Sequence, residues 1–212
     1  MDLVKLENKI ILADCIEILK QLETKSVDLI LTDPPYCGNV IRGGGVMSKY
    51  TKSEKREPLE WDIAPKKEVF DEMFRVSKNQ IIWGGNYFNL PATRCFNCWN
   101  KIDIPLTFSF SNVEYAWTSF NKNAKVFSIP TNGKGKKVHP TQKPLELIIK
   151  QILLYSKEGD LILDPFSGSG TTAIACEKTG RRFICIEKNQ DYFEKSVERL
   201  ENLRKEPVLW KN

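Results

Sequence analysis

Val27-Asp28-Leu29-Ile30-Leu31-Thr32-Asp33-Pro34-Pro35-Tyr36 is an apolar run rich in branched side chains that stops at an acid, two prolines and an aromatic. Such a run reads as a strand buried on both faces, and paired prolines cannot donate to its ladder, so Asp33 stands at the strand's C-terminal tip. The prolines fix the backbone, remove two donors and leave carbonyls free to accept, while Tyr36 adds a flat face beside the carboxylate. That set suits a planar ring bearing an amino group. An isolated Asp-Pro would read as an ordinary strand-ending turn. Four such residues after a buried strand favour a site.

A second stretch repeats the theme: Leu161-Ile162-Leu163-Asp164-Pro165-Phe166-Ser167-Gly168-Ser169-Gly170-Thr171-Thr172 is a buried strand ending in an acid, a glycine-rich turn, and the start of a helix near Thr171. With Ala173, its glycines also satisfy the dinucleotide pattern G-x-G-x-x-G/A, and Glu187 follows Gly168 by 19 residues at the end of the next strand. Glycines alone therefore leave a nicotinamide-dependent dehydrogenase open, since both kinds of cofactor need close backbone approach and an acid for ribose hydroxyls.

Taken together, the two strings resemble the motifs of the S-adenosylmethionine-dependent DNA methyltransferases that modify exocyclic amino groups of adenine or cytosine. Asp33, Pro34, Pro35 and Tyr36 resemble the catalytic motif, and the stretch from Asp164 to Thr172 resembles the cofactor loop. The catalytic motif comes first here, as in the circularly permuted members called the beta group. The resemblance implies a cofactor site made by Asp164, Pro165, Phe166, Ser167, Gly168, Ser169, Gly170, Thr171 and Thr172. It adds Asp14 near the adenine, Glu187 on the ribose, and Thr141, Gln142 and Lys143 of the string His139-Pro140-Thr141-Gln142-Lys143-Pro144 near the methionine end. His139 itself reads as a capping or packing residue rather than a base.

An aspartate at the head of the motif resembles adenine-modifying members, whereas serine is commoner among those acting on the cytosine amino group. Methylation of the cytosine amino group or of RNA is the alternative. Hydride transfer has no use for Asp33-Pro34-Pro35-Tyr36, and a non-catalytic nucleic-acid-binding module would not need every matched acid and glycine. In the implied reaction Asp33 and the Pro34 carbonyl accept the two amino hydrogens, Tyr36 stacks on the ring, and the base is flipped out or already unpaired. No cysteine takes part, in contrast to carbon methylation of cytosine, where a thiolate adds to the ring; Cys37 is incidental.

The 212 residues, 41% hydrophobic, bury one substantial core, and a single catalytic domain over 1–212 is expected. No stretch is long and apolar enough to span a membrane and Met1 to Lys5 lack a signal pattern, so a cytoplasmic protein with reduced cysteines is expected. Cys95-Phe96-Asn97-Cys98 has metal-like spacing but lacks a second pair, and the sole histidine is distant, so no metal is expected.

Periodicity gives seven strands interleaved with helices, hence an α/β fold: a mostly parallel sheet with a hairpin, Cys95 to Lys101 and Glu114 to Phe120, at one edge, and the resemblance implies that this is a Rossmann-like, circularly permuted methyltransferase sheet. By resemblance the strand of Asp164 is central, between those of Asp33 and Glu187, with Asp14 beyond Glu187 and the termini close together. Residues 37–66 and 121–138 carry no sustained period and read as variable loops for DNA contact. Their candidate phosphate contacts are Arg42, Lys49, Lys52, Lys55 and Arg56 in the first and Lys134, Lys136 and Lys137 in the second, in a chain of net charge +5. The partners implied are DNA and, from the resembled group, a homodimeric second copy and a cognate restriction endonuclease.

Overall fold

Eight strands form one sheet in the order β1-β8-β7-β2-β3-β5-β4-β6 in the computed structural model, which describes residues 5–36, 63–107, 111–131 and 142–205. The strands are β1 (Lys9–Leu12), β2 (Val27–Thr32), β3 (Ser77–Trp83), β4 (Phe96–Asn100), β5 (Val113–Thr118), β6 (Lys125–Ser128), β7 (Leu161–Asp164) and β8 (Arg182–Glu187). The helices are α1 (Cys15–Leu19), α2 (Lys67–Val76), α3 (Leu145–Tyr155), α4 (Thr171–Thr179) and α5 (Gln190–Lys205). From β1 through β8, β7 and β2 to β3 every pairing is parallel. The central strands are parallel because each is followed by a crossover too long for a hairpin, and they are continuously apolar because helices cover both faces.

Alternation along each strand divides the core. Leu29, Leu31, Ile162 and Phe183 pack with Leu147, Ile148 and Ile152 of α3, with α4 and with Leu200 of α5. Ile30, Leu163, Ile184 and Ile186 pack with Ile18 and Leu19 of α1 and with Phe70 and Met73 of α2. A one-residue slip of any strand would exchange these sets, so the register is strongly specified. The first and last described elements meet as the permuted order requires: Arg204 of α5 donates to the Asn8 carbonyl at 3.2 Å.

The far side of the sheet departs from the expected hairpin edge. β5 pairs antiparallel with both β3 and β4, and β6 adds an eighth strand, parallel to β4, at the edge itself. Part of the segment expected as a 121–138 loop is therefore strand. Its pairing is non-local, made with a strand some thirty residues earlier, and Lys125–Ser128 is mostly exposed, so little alternation marks it. Trp99 Nε1 donates to the Ile129 carbonyl at 2.7 Å and secures this edge strand's end.

Cys95 lies just before β4 and Cys98 within it. Three apart on extended chain, their side chains point to opposite faces and cannot converge on one ion. Among the described residues no group of three His, Cys, Asp or Glu is placed to hold a metal, and no helix is long and apolar enough to cross a membrane.

One buried carboxylate fastens the middle of the sheet. Thr32 Oγ1, at the end of β2, donates to Asp164 Oδ1 at 2.7 Å, and Thr172 Oγ1, at the start of α4, donates to Oδ2 at 2.6 Å. The Phe166 amide adds a third bond to Oδ1 at 3.1 Å. Burial pushes this carboxyl up to about 6, against the bonds from Thr172 and Thr32 that favour its ionised form. The folded chain thus holds the proton more tightly than the unfolded chain, so Asp164 favours folding fully below about pH 4 and loses that contribution as pH rises through about 6.

We expect the unfolding free energy of the wild-type chain minus that of Asp164→Asn, from urea titrations, to fall between about pH 4 and pH 7. A difference that is flat or rises contradicts this account. At the end of β3, a Cβ on Gly85 would come within 2.4 Å of Trp117 Cβ. Gly85→Ala is expected to cost about 1–3 kcal/mol by overpacking, read as a thermal midpoint lowered by roughly 2–4 °C per kcal/mol; an unchanged midpoint contradicts it.

Candidate active site

Chain direction places the chemistry-bearing residues on one rim. β1, β2, β7 and β8 are parallel, so Asp14 two residues beyond β1, Asp33 one beyond β2, Asp164 ending β7 and Glu187 ending β8 all stand at carboxyl ends. From β2 the chain moves outward to β3, and from β7 it moves the opposite way to β8, which makes the β2–β7 boundary the switch point where open α/β sheets bind ligands. A cleft of about 700 Å³ lies there, within the size of small-molecule sites. Its walls include Asp14, Asp33 to Tyr36, Lys143, Asp164 to Ser169, Thr171, Thr172 and Glu187. The cofactor-loop and catalytic-motif residues expected from the sequence thus share one cavity, with the exception of Gly170, whose φ of +72° starts α4 beside Ser196.

Along the cleft the acids have different partners. Asp14 caps α1 through the Ile16 amide at 3.2 Å and pairs with Lys188 at 2.9 Å; the Lys188 hydrogen bond holds its carboxyl below the usual range despite partial burial. Glu187 Oε2 accepts the Gly168 amide at 2.7 Å and Oε1 the Asn189 amide at 2.8 Å, so it anchors the glycine turn while each oxygen keeps a lone pair. Asp164 sits beneath the loop rather than at its surface, its oxygens engaged by Thr32, Thr172 and Phe166. Among the described residues Ser167 Oγ is buried beside the Cys185 thiol without a hydrogen bond of ordinary geometry.

At the other end Asp33 is held by Lys143, whose ammonium contacts Asp33 Oδ2 and lies 3.1 Å from Glu114 Oε2 and 5.4 Å from the Trp83 ring centre. Glu114 Oε1 in turn meets Lys101 Nζ at 2.5 Å. β5 runs antiparallel to β3 and to β4, so Glu114 at its start and Lys101 after β4 arrive at the same rim as Asp33. Burial pushes the Asp33 carboxyl up, with Lys143 opposing it. Burial alone would lower the Lys143 ammonium, but Asp33 and Glu114 outweigh it and hold it well above its ordinary value. For Glu114, burial is outweighed by Lys143 and Lys101, and its carboxyl sits below the usual range.

Tyr36 stacks on Tyr87 with ring centres 4.6 Å apart and planes 16° from parallel. The turn that carries Tyr87 begins at Gly84, whose φ of +66° suits glycine and whose missing Cβ would meet Tyr36 Cδ1 at 2.9 Å. Cys15 also lines the cleft, but burial pushes its thiol up to about 12, so it is no nucleophile at neutral pH.

Sequence reading missed Glu114, Lys101 and Tyr87 as members of this site. Glu114 and Lys101 flank a long connection between β4 and β5, and only the hairpin register brings them together; the one local signal is an acid heading an otherwise apolar strand. Lys143, expected near the methionine end of a cofactor, is instead bonded to Asp33. Thr141 and His139 lie outside the described residues, as do Arg42, Lys49, Lys52, Lys55, Arg56, Lys134, Lys136 and Lys137.

The chain is 29% identical over 256 residues to the type II methyltransferase M.HinfI of Haemophilus influenzae, covering 94% of this chain and 70% of that protein. It is also 29% identical over 249 residues to the type II methyltransferase M2.DpnII of Streptococcus pneumoniae, covering 92% and 91%. Among solved structures, M1.HpyAVI in complex with SAM superposes with a TM-score of 0.61 at 25% identity, covering 91% of this chain and 98% of that one. The PvuII DNA methyltransferase, cytosine-N4-specific, shares the fold at a TM-score of 0.57 and 16% identity over 92% and 90% of the two chains. Residues 82–198 match the N6/N4 methyltransferase family, described as DNA methylase. With more than half its length inside that match, the chain belongs to the family of S-adenosylmethionine-dependent DNA methyltransferases that act on the amino groups of bases.

Proposed function

We propose that the methyl acceptor is the exocyclic amino group of adenine in DNA. The observation that carries this reading is Asp33 Oδ1, a buried carboxylate oxygen that has no partner among the described residues, in the lining of the cleft shared with the glycine turn. A buried acceptor left unmade is costly, and an amino N–H of a base satisfies it. The aspartate heading Asp33-Pro34-Pro35-Tyr36 resembles adenine-modifying members of the family, which favours adenine over cytosine.

The residues present fit S-adenosylmethionine. Glu187 at the end of β8 would offer lone pairs to ribose hydroxyls, Asp14 at the end of β1 would serve the adenine, and Ser167 with the glycine-turn backbone would hold the methionine portion. Gln142 borders the same cleft, with Thr141 assigned beside it from the motif. When bound, the cofactor supplies a methyl group on a positive sulfonium. The amino nitrogen attacks that carbon as the carbon–sulfur bond breaks, which leaves a neutral thioether and one positive charge on nitrogen.

The protein's task is to make the amino lone pair available, since the ring delocalises it. Asp33 accepts one amino hydrogen and the Pro34 carbonyl the other, which pyramidalises the nitrogen and aims its lone pair. The carboxylate then stabilises the charge that develops there. Pro35 stiffens the tip, and Tyr36, backed by Tyr87, presents its ring to a base turned out of the helix. The nitrogen's extra proton leaves after transfer, to Asp33 or to water.

In this reading residues 1–212 are one catalytic domain, and the basic side chains of 37–66 and of 132–138 contact phosphates. Its setting is the cytoplasm, with a cognate endonuclease as the companion activity and a second copy of the chain as a candidate partner.

Asp33→Ala is expected to lower methyl transfer to DNA by roughly 10³-fold or more while the S-adenosylmethionine Kd, by calorimetry, stays within about threefold. Turnover equal to the parent's contradicts the assignment. DNA synthesised with N6-methyladenine in place of adenine is expected to accept no methyl, whereas DNA carrying N4-methylcytosine in place of cytosine remains a substrate. The reverse pattern moves the acceptor to cytosine.

A further inference from the structure

Resting on the reading of Asp33 as acceptor of the target amine, we propose that Lys143 is a positioning residue for transfer. It clamps Asp33 by Oδ2, steadied from behind by Glu114, so that the carboxylate is kept ionised and Oδ1 is the oxygen left for the substrate. The motif alone assigned Lys143 to the cofactor; its contacts assign it to the acid.

Several observations converge. Lys143 is 7% exposed, and a buried ammonium is stable only when paired. Its two partners are carboxylates from different strands, Asp33 after β2 and Glu114 in β5 at 3.1 Å, and Lys101 completes an alternating row of four charges through its 2.5 Å contact with Glu114. Glu114 gives Lys143 a second anchor, which a lone salt bridge would not have. The Trp83 ring centre lies 5.4 Å from the ammonium. Among the described residues Asp33 is engaged through Oδ2, and Oδ1 has no hydrogen-bond partner.

The groups facing Asp33 come from every neighbouring element: Lys143 ahead of α3, Glu114 of β5, Lys101 after β4, Asp164 of β7, and Tyr36 with Tyr87 behind it. Among the described residues only Lys143 and Lys101 of these groups are cations, and Lys143 is the one that touches the carboxylate. A protonated Asp33 would have one oxygen less to offer as acceptor, so transfer requires the ionised form. Removing Lys143 removes the charge that opposes burial; neutralising Glu114 removes a nearby negative charge and leaves Lys143 to Asp33 alone. The two changes therefore push the Asp33 carboxyl in opposite directions.

The test is the pH dependence of kcat/KM for DNA at saturating S-adenosylmethionine, whose acid limb reports the ionisation of the free site's base. For Lys143→Met the acid limb is expected to move to higher pH with a loss of roughly 10–100-fold at neutral pH, for Lys143→Arg to stay near the parent's, and for Glu114→Gln to move to lower pH. The cofactor Kd is expected to stay within about threefold in all three. A residue that merely supports the fold would lower the rate equally at all pH values. An unmoved limb, or a limb that moves the same way in Lys143→Met and Glu114→Gln, overturns the proposal. So does a Lys143→Met protein whose cofactor binding weakens by roughly tenfold or more with the limb in place, which would return Lys143 to the methionine end. If Lys143→Met does not fold, the Glu114→Gln limb decides alone. Failure of the parent chain to methylate any DNA removes the reading of Asp33 and this proposal with it, whereas a parent that methylates and variants without limb shifts overturn the proposal only.

Discussion

The hydroxyls of Thr32 and Thr172 meeting on the Asp164 carboxylate set the geometry on which everything else in this enzyme depends. Thr32 immediately precedes the catalytic tip and Thr172 opens the helix after the glycine turn, so one buried acid fixes the distance between the methyl donor's loop and the acceptor's carboxylate. Methyl transfer needs sulfur, carbon and nitrogen in line, and a misplacement of an ångström is costly. Charge-assisted hydrogen bonds across two strand ends are a direct way to hold such an alignment, because bonds to an ionised group are stronger and shorter than neutral ones. Burying an acid that must stay hydrogen-bonded is the stability given up for it.

The same rim carries opposite demands on its two halves. Toward the proposed cofactor end, Asp14 and Glu187 are tied by backbone amides and Lys188, which leaves acceptors free on the rim. Toward the proposed base end, Asp33 is partly buried, and Lys143, Glu114 and Lys101 form a row of alternating charge beside it. Tyr36 and Tyr87, seated over Gly84, add a flat apolar wall beside that charge. The two ends of this one cleft are joined through the hydrogen bond from Thr32 to Asp164.

How much of this was legible in the sequence follows from how local each signal is. β2 and β7 announced themselves because four or more consecutive buried side chains end at an acid and a turn, and the motif order then implied the strand order β1-β8-β7-β2 that the sheet adopts. The cleft walls followed from the same strings. β6 carries little local signal because its side chains are largely exposed and its stability comes from pairing with β4, a contact no local pattern encodes. Lys143 was given to the cofactor because its neighbours in the motif suggested so; its bond to Asp33 spans 110 positions, and the Glu114–Lys101 contact depends on hairpin register.

The most direct measurement of the central claim is transfer of labelled methyl from S-adenosylmethionine to unmethylated genomic DNA, followed by digestion to nucleosides and identification of the labelled one. Label on N6 of deoxyadenosine is the expected result, joining enzyme, cofactor and base in one observation. Label on N4 of deoxycytidine would keep the carboxylate mechanism and contradict the adenine assignment, and no label on DNA from a chain that binds the cofactor would contradict the account of the cleft as a DNA-methylating site.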